Sequence, residues 1–185
     1  MRQRKIAYRY AKALFDYAVE EKILDKVNSD MELVGNVCTQ NRPLRRVLQS
    51  PVINKKKKMS VLREIFKDHL TQVTMNYLEI ITRKSRENYI PDIPLYFNEL
   101  YNEQENIKTA VLKTAVPVDE DLRRKIKAFL EKKTQARIHL IEQTDPGLIG
   151  GFVIQVADQQ YDTSIQRKLK MLKREFEDNI YIREF

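Results

Sequence analysis

Apolar residues between position 3 and about 105 recur at three- and four-residue spacing, the period of a helix packed on one side. The pattern predicts helices over 3–20, 22–40, 43–49, 55–68, 71–85 and 89–104. Breakers separate them at Pro43, Ser50-Pro51 and the Glu87-Asn88 turn. Pro91 and Pro94 are expected in the first turns of the last helix, where a missing N–H costs little. Connections this short put neighbouring helices antiparallel in a compact six-helix bundle.

The pattern changes after Asn106. Ile107 to Val116 is β-branched and apolar and stops at Pro117. Asp119 can cap a helix running to about Lys133, and Arg137 to Glu142 reads as a second strand. The segment from Asp145 to Gly151 holds three of the four glycines: Gly147, Gly150 and Gly151. Phe152 to Ala157 reads as a third strand, Asp158-Gln159-Gln160 as a turn and Tyr161-Asp162 as a return. Ser164 opens a last helix to about Phe176, whose stripe Ile165, Leu169, Leu172 and Phe176 is expected to pack on the sheet. The order is β-α-β-β-α, so the fold class is mainly α with a small α+β part. Two domains follow, 1–105 and 106–185. The 185 residues leave room for one or two.

Two helices carry more apolar surface than one core needs. With Ile6 at 0° and about 100° per residue, Arg9, Lys12, Asp16 and Glu20 occupy an arc of only about 80°. The rest is mostly apolar, whereas a bundle helix needs a stripe only somewhat wider than about 100°. The helix over 71–85 repeats this, with Gln72, Asn76, Glu79 and Arg83 on one side and Val73, Met75, Tyr77, Leu78, Ile80 and Ile81 around the remainder. Such helices are either central in the bundle or flank a groove for an incoming amphipathic helix. Ala7 and Ala11, one turn apart, are expected to let a partner helix approach closely.

Composition narrows the chemistry. With 34 Lys+Arg against 26 Asp+Glu the net charge is +8, which favours acidic partners, anionic lipid or nucleic acid. Lys55-Lys56-Lys57-Lys58 is the one charge run; at a helix start it opposes the macrodipole, and it reads as a solvated basic turn. No aromatic residues interleave with it as stacking platforms for nucleic acid. Cys38, the sole cysteine, cannot pair within the chain and reads as an inert thiol in a reducing compartment. His69 and His139 lie far apart without cysteine partners, so no metal site is expected. His139 alternates with Ile138 and Leu140 on a strand, with no neighbouring nucleophile to activate. The glycines precede a strand and lack a following Lys-Ser/Thr, so they form a loop rather than a phosphate cradle. No catalytic residue and no cofactor are expected. No apolar run suits a signal peptide or a membrane span.

Ala7-Tyr8-Arg9-Tyr10-Ala11-Lys12-Ala13-Leu14-Phe15 resembles the opening of the delta-subunit family of F-type ATP synthases, relatives of the mitochondrial oligomycin-sensitivity-conferring protein. Gly150-Gly151-Phe152-Val153-Ile154-Gln155-Val156, Asp162-Thr163-Ser164 and Leu169-x-x-Leu172 resemble that family's C-terminal signature. Glu87-Asn88-Tyr89-Ile90-Pro91-Asp92-Ile93 is similar to its turn into the sixth helix. Thr163 and Ala157 depart from positions where the family often has glycine.

The resemblance implies a non-catalytic peripheral-stalk, or stator, subunit. It would link the catalytic head to the membrane-anchored b subunits, so that rotation is coupled to ATP synthesis and ion translocation. It implies an alpha-subunit helix bound between the first and fifth helices, at Ala7, Tyr10, Ala11, Leu14, Tyr77, Ile80 and Ile81. It implies b subunits bound at the second domain, where Arg167, Lys170, Lys173 and Arg174 present charge. It also implies a peripheral position on the cytoplasmic face of a bacterial inner membrane. The basic balance alone leaves the alternative of a nucleic-acid-binding adaptor.

Overall fold

A computed structural model describes residues 2–156 and 159–178. The chain divides into two compact units, Met1–Gln104 and Glu105–Phe185. Among the described residues there are eight α-helices and one small mixed sheet of four strands.

The first unit holds α1 (Arg2–Glu20), α2 (Leu24–Gln40), α3 (Arg42–Gln49), α4 (Lys55–Phe66), α5 (Gln72–Arg83) and α6 (Ile93–Gln104). A 3-10 turn, Glu87–Tyr89, occupies the predicted Glu87-Asn88 breaker. The last helix therefore starts later than the apolar spacing suggests, and of its two prolines only Pro94 lies inside it. The core gathers Met31, Leu48, Leu62, Phe66, Leu78, Ile81, Ile90, Ile93 and Phe97, all essentially inaccessible. α1 lies along α6, where Phe15 meets Phe97 edge-on at 5.8 Å and Tyr8 meets Tyr96 at 6.2 Å. Offset and edge-on ring pairs of this kind add to the gain from burial.

Local chemistry sets the helix starts. Asn54 Oδ1 accepts the Lys56 N–H at 3.2 Å to cap α4. Thr71 caps α5 and is itself held, because the buried carboxylate of Asp30 on α2 accepts the Thr71 N–H at 3.0 Å and its hydroxyl at 2.6 Å. The entry to α5 is thus fixed from the core.

The second unit holds β1 (Ile107–Thr114), α7 (Glu120–Thr134), β2 (Arg137–Thr144), β3 (Phe152–Val156), β4 (Gln159–Asp162) and α8 (Ile165–Asp178). The sheet order is β2-β1-β3-β4. β1 and β2 are parallel, which requires the crossover that α7 supplies, and the other pairs are antiparallel. The predicted return at Tyr161-Asp162 is a full strand that begins at Gln159, within the segment read as a turn. The rest of that turn, Asp158, and the end of the predicted third strand, Ala157, lie outside the described residues. Ala110 faces Leu140 and Val156 across its two partner strands, and Leu112 faces Ile154. Ile126 and Leu130 of α7 close this face, with Ile138 beside them.

The glycine loop has one conformational requirement. Gly151 has φ of +79°, and an added Cβ would lie 2.5 Å from the Thr163 carbonyl oxygen. Only glycine fits there without strain. Thr163 is not among the left-handed residues, and its hydroxyl donates to the Phe152 carbonyl at 2.9 Å. A side chain at this position is therefore used, not merely tolerated.

Candidate functional site

The side of the first unit formed by α1 and α5 carries an open apolar groove of about 440 Å³. α1 contributes Tyr10, Ala13, Leu14 and Tyr17; α5 contributes Val73, Asn76, Tyr77, Ile80 and Ile81. The Tyr77 hydroxyl crosses to donate to the Tyr10 carbonyl at 2.8 Å, which fixes the spacing of the two helices. Burial pushes the Tyr77 hydroxyl pKa well above its ordinary value, with Tyr10 adding to the effect, so the hydroxyl stays a donor. Ile80 stands on the open rim, 53% exposed. Beyond the rim Glu79 joins α5 to α4: it accepts from Arg63 Nε at 2.6 Å and from Arg83 at 3.2 Å. These guanidinium contacts hold the Glu79 carboxyl below its ordinary range.

Of the seven residues expected to meet a partner helix, the structure brings Tyr10, Leu14, Tyr77, Ile80 and Ile81 together at the groove. Ile81 is 0% and Leu14 3% exposed, so these two form its floor from within the core, and Tyr10, Tyr77 and Ile80 offer the accessible surface. Ala7 and Ala11 are a correction. Both are 0% exposed and belong to the core. On the helical wheel they stand beside Phe15, which meets Phe97, so their small size serves the close approach of α6 within the unit. Ala13, Tyr17, Val73 and Asn76 also line the groove but are not among the residues expected to meet a partner, although Val73 belongs to the surplus apolar surface of the fifth helix and Asn76 is expected on its polar side. Their signal was the pair of stripes 10-13-14-17 and 73-76-77-80, each at helical spacing.

The charged residues expected in the second unit all lie on α8. Arg167, Lys170 and Arg174 line a polar hollow with Asp162 and Ser164 at the helix start, and Lys173 is exposed on another side. Asp162 Oδ1 accepts the Ser164 N–H at 2.9 Å, and the Ser164 hydroxyl accepts the Arg167 N–H at 3.2 Å. The expected packing of Ile165, Leu169, Leu172 and Phe176 on the sheet is not found. All four are exposed, because α7 already closes the apolar face of the sheet.

The lysine run also needs correcting. Lys55, Lys56 and Lys57 are exposed, but Lys58 is buried, with Nζ 2.7 Å from Glu87 Oε1 and 2.9 Å from the Leu48 carbonyl. The fourth lysine is a structural tie, and the solvated basic turn is one cation shorter. Cys38 is buried, and burial pushes its thiol up to about 11, against a smaller opposing pull from Arg45. His139 is exposed on β2. Among the described residues no group of His, Cys, Asp and Glu is placed to hold a metal, and no helix is long and apolar enough to cross a membrane.

The sequence profile of the family described as ATP synthase delta (OSCP) subunit matches residues 6–176. The chain belongs to that family. ATP synthase subunit delta of Cytophaga hutchinsonii is 36% identical over 180 residues, covering 97% of this chain and 98% of its own. The Christiangramia forsetii protein of the same name is 36% identical over 182 residues, 98% of each chain. A chain from the mitochondrial ATP synthase hexamer of Toxoplasma gondii shares the fold at a TM-score of 0.68, with 22% identity over 92% of this chain and 96% of that one. As a delta (OSCP) family member the chain keeps both units, since the profile runs from α1 into α8.

Proposed function

We propose that the chain is the non-catalytic delta subunit of the peripheral stalk of an F-type ATP synthase. It ties the catalytic head to the membrane-anchored b subunits and so keeps the head from turning with the rotor. The first unit, 1–105, takes the N-terminal helix of an alpha subunit; the second, 106–185, takes the b subunits. The chain is then peripheral to the membrane, on the cytoplasmic face in a bacterium, through these partners alone.

The observation that carries this reading is the α1–α5 groove. Its wall is apolar, its two sides are locked by the Tyr77–Tyr10 bond, and its length runs two turns along each helix. An amphipathic helix laying its apolar face in such a groove gains by burial and needs no chemistry from the host. On α8, Arg167, Lys170, Lys173 and Arg174 supply the positive charge for the b subunits. The test is capture from detergent-solubilised membranes of the source organism with the full tagged chain as bait. The expected result is recovery of alpha and b subunits together. Recovery of nucleic acid with neither subunit would contradict the proposal.

A further inference from the structure

The bond between Lys58 and Glu87 gathers basic charge of the first unit into one corner. No aspartate or glutamate occurs from residue 41 to 63, nor from 80 to 86. Lys58, bonded to Glu87 and to the Leu48 carbonyl, brings the end of α3, the start of α4 and the turn after α5 together. Arg46, Lys55, Lys56, Lys57, Lys84 and Arg86 are exposed at these ends. Among the described residues none of the six has an ion-pair partner. Glu87, the acid of this corner, is buried against Lys58. Like charges gathered this way repel, and three of them stand at a helix start where the macrodipole opposes them. The fold therefore keeps them at some cost in stability.

The corner is continuous with the α1–α5 groove. Lys84 closes α5 one turn after Ile80, the exposed residue of the groove rim, and Arg86 follows it. Along α5 the groove thus passes from the uncharged Val73 and Asn76 to cations. We infer that this corner docks an acidic segment of the same partner polypeptide whose apolar helix lies in the groove. The inference rests on the proposed groove contact and deepens it, because it gives the partner a charge and places that charge just beyond the end of its helix that lies over Ile80. Residues 41–63 and 80–86 contain no aromatic side chain on which a nucleic-acid base could stack. Val52 is the one large apolar side chain exposed between 41 and 63, far less than the apolar face with which a helix lies in a membrane surface. An acidic peptide segment needs neither feature. Opposite charges steer its encounter and fix which end of the helix meets Ile80.

The full chain is titrated at low and high salt with designed peptides that share one amphipathic helix with a leucine face. One peptide ends without charge; the others carry a run of glutamate or of lysine beyond one end of the helix or beyond the other. At low salt the glutamate run should tighten binding at least about tenfold at one end of the helix and not at the other, and the gain should shrink as salt rises. The lysine run should give no gain at either end. Lys84→Glu with Arg86→Glu should remove the gain, as should Lys55→Glu, Lys56→Glu and Lys57→Glu together. Thermal melts of both variants should be no lower than the parent's, since all five side chains are exposed among like charges. Lys22→Glu with Lys26→Glu, also exposed and at the α1–α2 turn, should leave the gain in place. An equal gain at both ends would overturn the inference, as would a gain lost as fully in the Lys22 and Lys26 variant, because net charge alone would then explain it. So would binding of a single-stranded oligonucleotide, or of phosphatidylglycerol vesicles, that the corner variants lose while the glutamate gain persists. The N-terminal segment of the organism's own alpha subunit separates the two readings. If it binds parent and corner variants alike but is weakened by Ile80→Asp, the corner is not a contact and the groove reading stands. If the glutamate peptides behave as expected but the alpha segment does not bind, the corner stands and the alpha-subunit reading falls.

Discussion

Lys58 Nζ lies 2.7 Å from Glu87 Oε1 and is 3% exposed, so the start of α4 is bonded inside the protein to the turn that follows α5. The same ammonium reaches the Leu48 carbonyl at the end of α3. Three connections of the first unit thus converge on one cation. The second Glu87 oxygen is buried without a hydrogen-bond partner, so the pair is not fully compensated.

Breaking such a pair from one side strands the other charge. Lys58→Met should therefore cost about 3 kcal/mol or more, while Lys58→Met combined with Glu87→Leu should cost clearly less. Chemical denaturation of the full chain followed by circular dichroism reads this, since the protein has no tryptophan to report it. A double variant as unstable as the single would show that the tie is not a matter of uncompensated charge.

Alkaline stability follows from two buried acids. Cys38 is raised from 9.0 to about 11 and Tyr77 is raised above 10.0, so each is more acidic in the unfolded chain than in the folded one. Their contributions are whole below pH 9 and are lost as pH rises: that of Cys38 between pH 9 and about 11, that of Tyr77 from pH 10 upward. Denaturation midpoints of the first unit should fall over this range, and Tyr77→Phe should flatten the fall above pH 10. Midpoints constant to pH 11 would contradict the burial of both groups. At neutral pH, Tyr77→Phe should cost about 1 kcal/mol for the lost bond to Tyr10.

Gly151 and Gly150 make a paired test in the second unit. An alanine Cβ at 151 meets the Thr163 backbone at a positive φ, whereas at 150 the nearest atom is the end of the Ile165 side chain, at 2.7 Å. Gly151→Ala should destabilise the unit by at least about 1 kcal/mol, and Gly150→Ala by less, because the Ile165 terminus can rotate away. Equal losses in thermal melts would count against the strained turn.

Charge reversal of Lys170 and Arg174 should slow association with the soluble segment of the b subunit at low salt and leave dissociation nearly unchanged. The effect should fade as salt rises, because exposed charges are screened over about 10 Å at 0.1 M. Stopped-flow rates at two ionic strengths decide it; a change confined to dissociation would put these residues inside the packed contact.

Periodicity made the six N-terminal helices, the β-α-β start of the second unit and the surplus of apolar surface on α1 and α5 legible in the sequence. These depend on spacing, which a helix or strand converts directly into a face. The direction of each face was harder. Ala7 and Ala11 carry the same spacing as groove residues, and only the position of α6 shows that they are core. Lys58 looked like its three neighbours because its partner, Glu87, lies 29 residues away. The α8 stripe was read as sheet packing because amphipathicity says that a helix needs cover, not which surface supplies it.

The core of the first unit and the rim of its groove separate cleanly in one pair of variants, one on α1 and one on α5. Ala11→Leu overfills a site with no accessible surface, and should lower the stability of the first unit by about 1–3 kcal/mol. Ile80→Asp changes a rim residue and should leave the melt close to that of the parent.

Calorimetric titration of the alpha-subunit N-terminal peptide into the full parent chain and into the Ile80→Asp variant tests the central claim most directly. The account predicts one peptide per chain for the parent, and for the variant a loss of about 2 kcal/mol, roughly thirtyfold in affinity, with the fold intact. A folded Ile80→Asp variant that binds the peptide as tightly as the parent would contradict it.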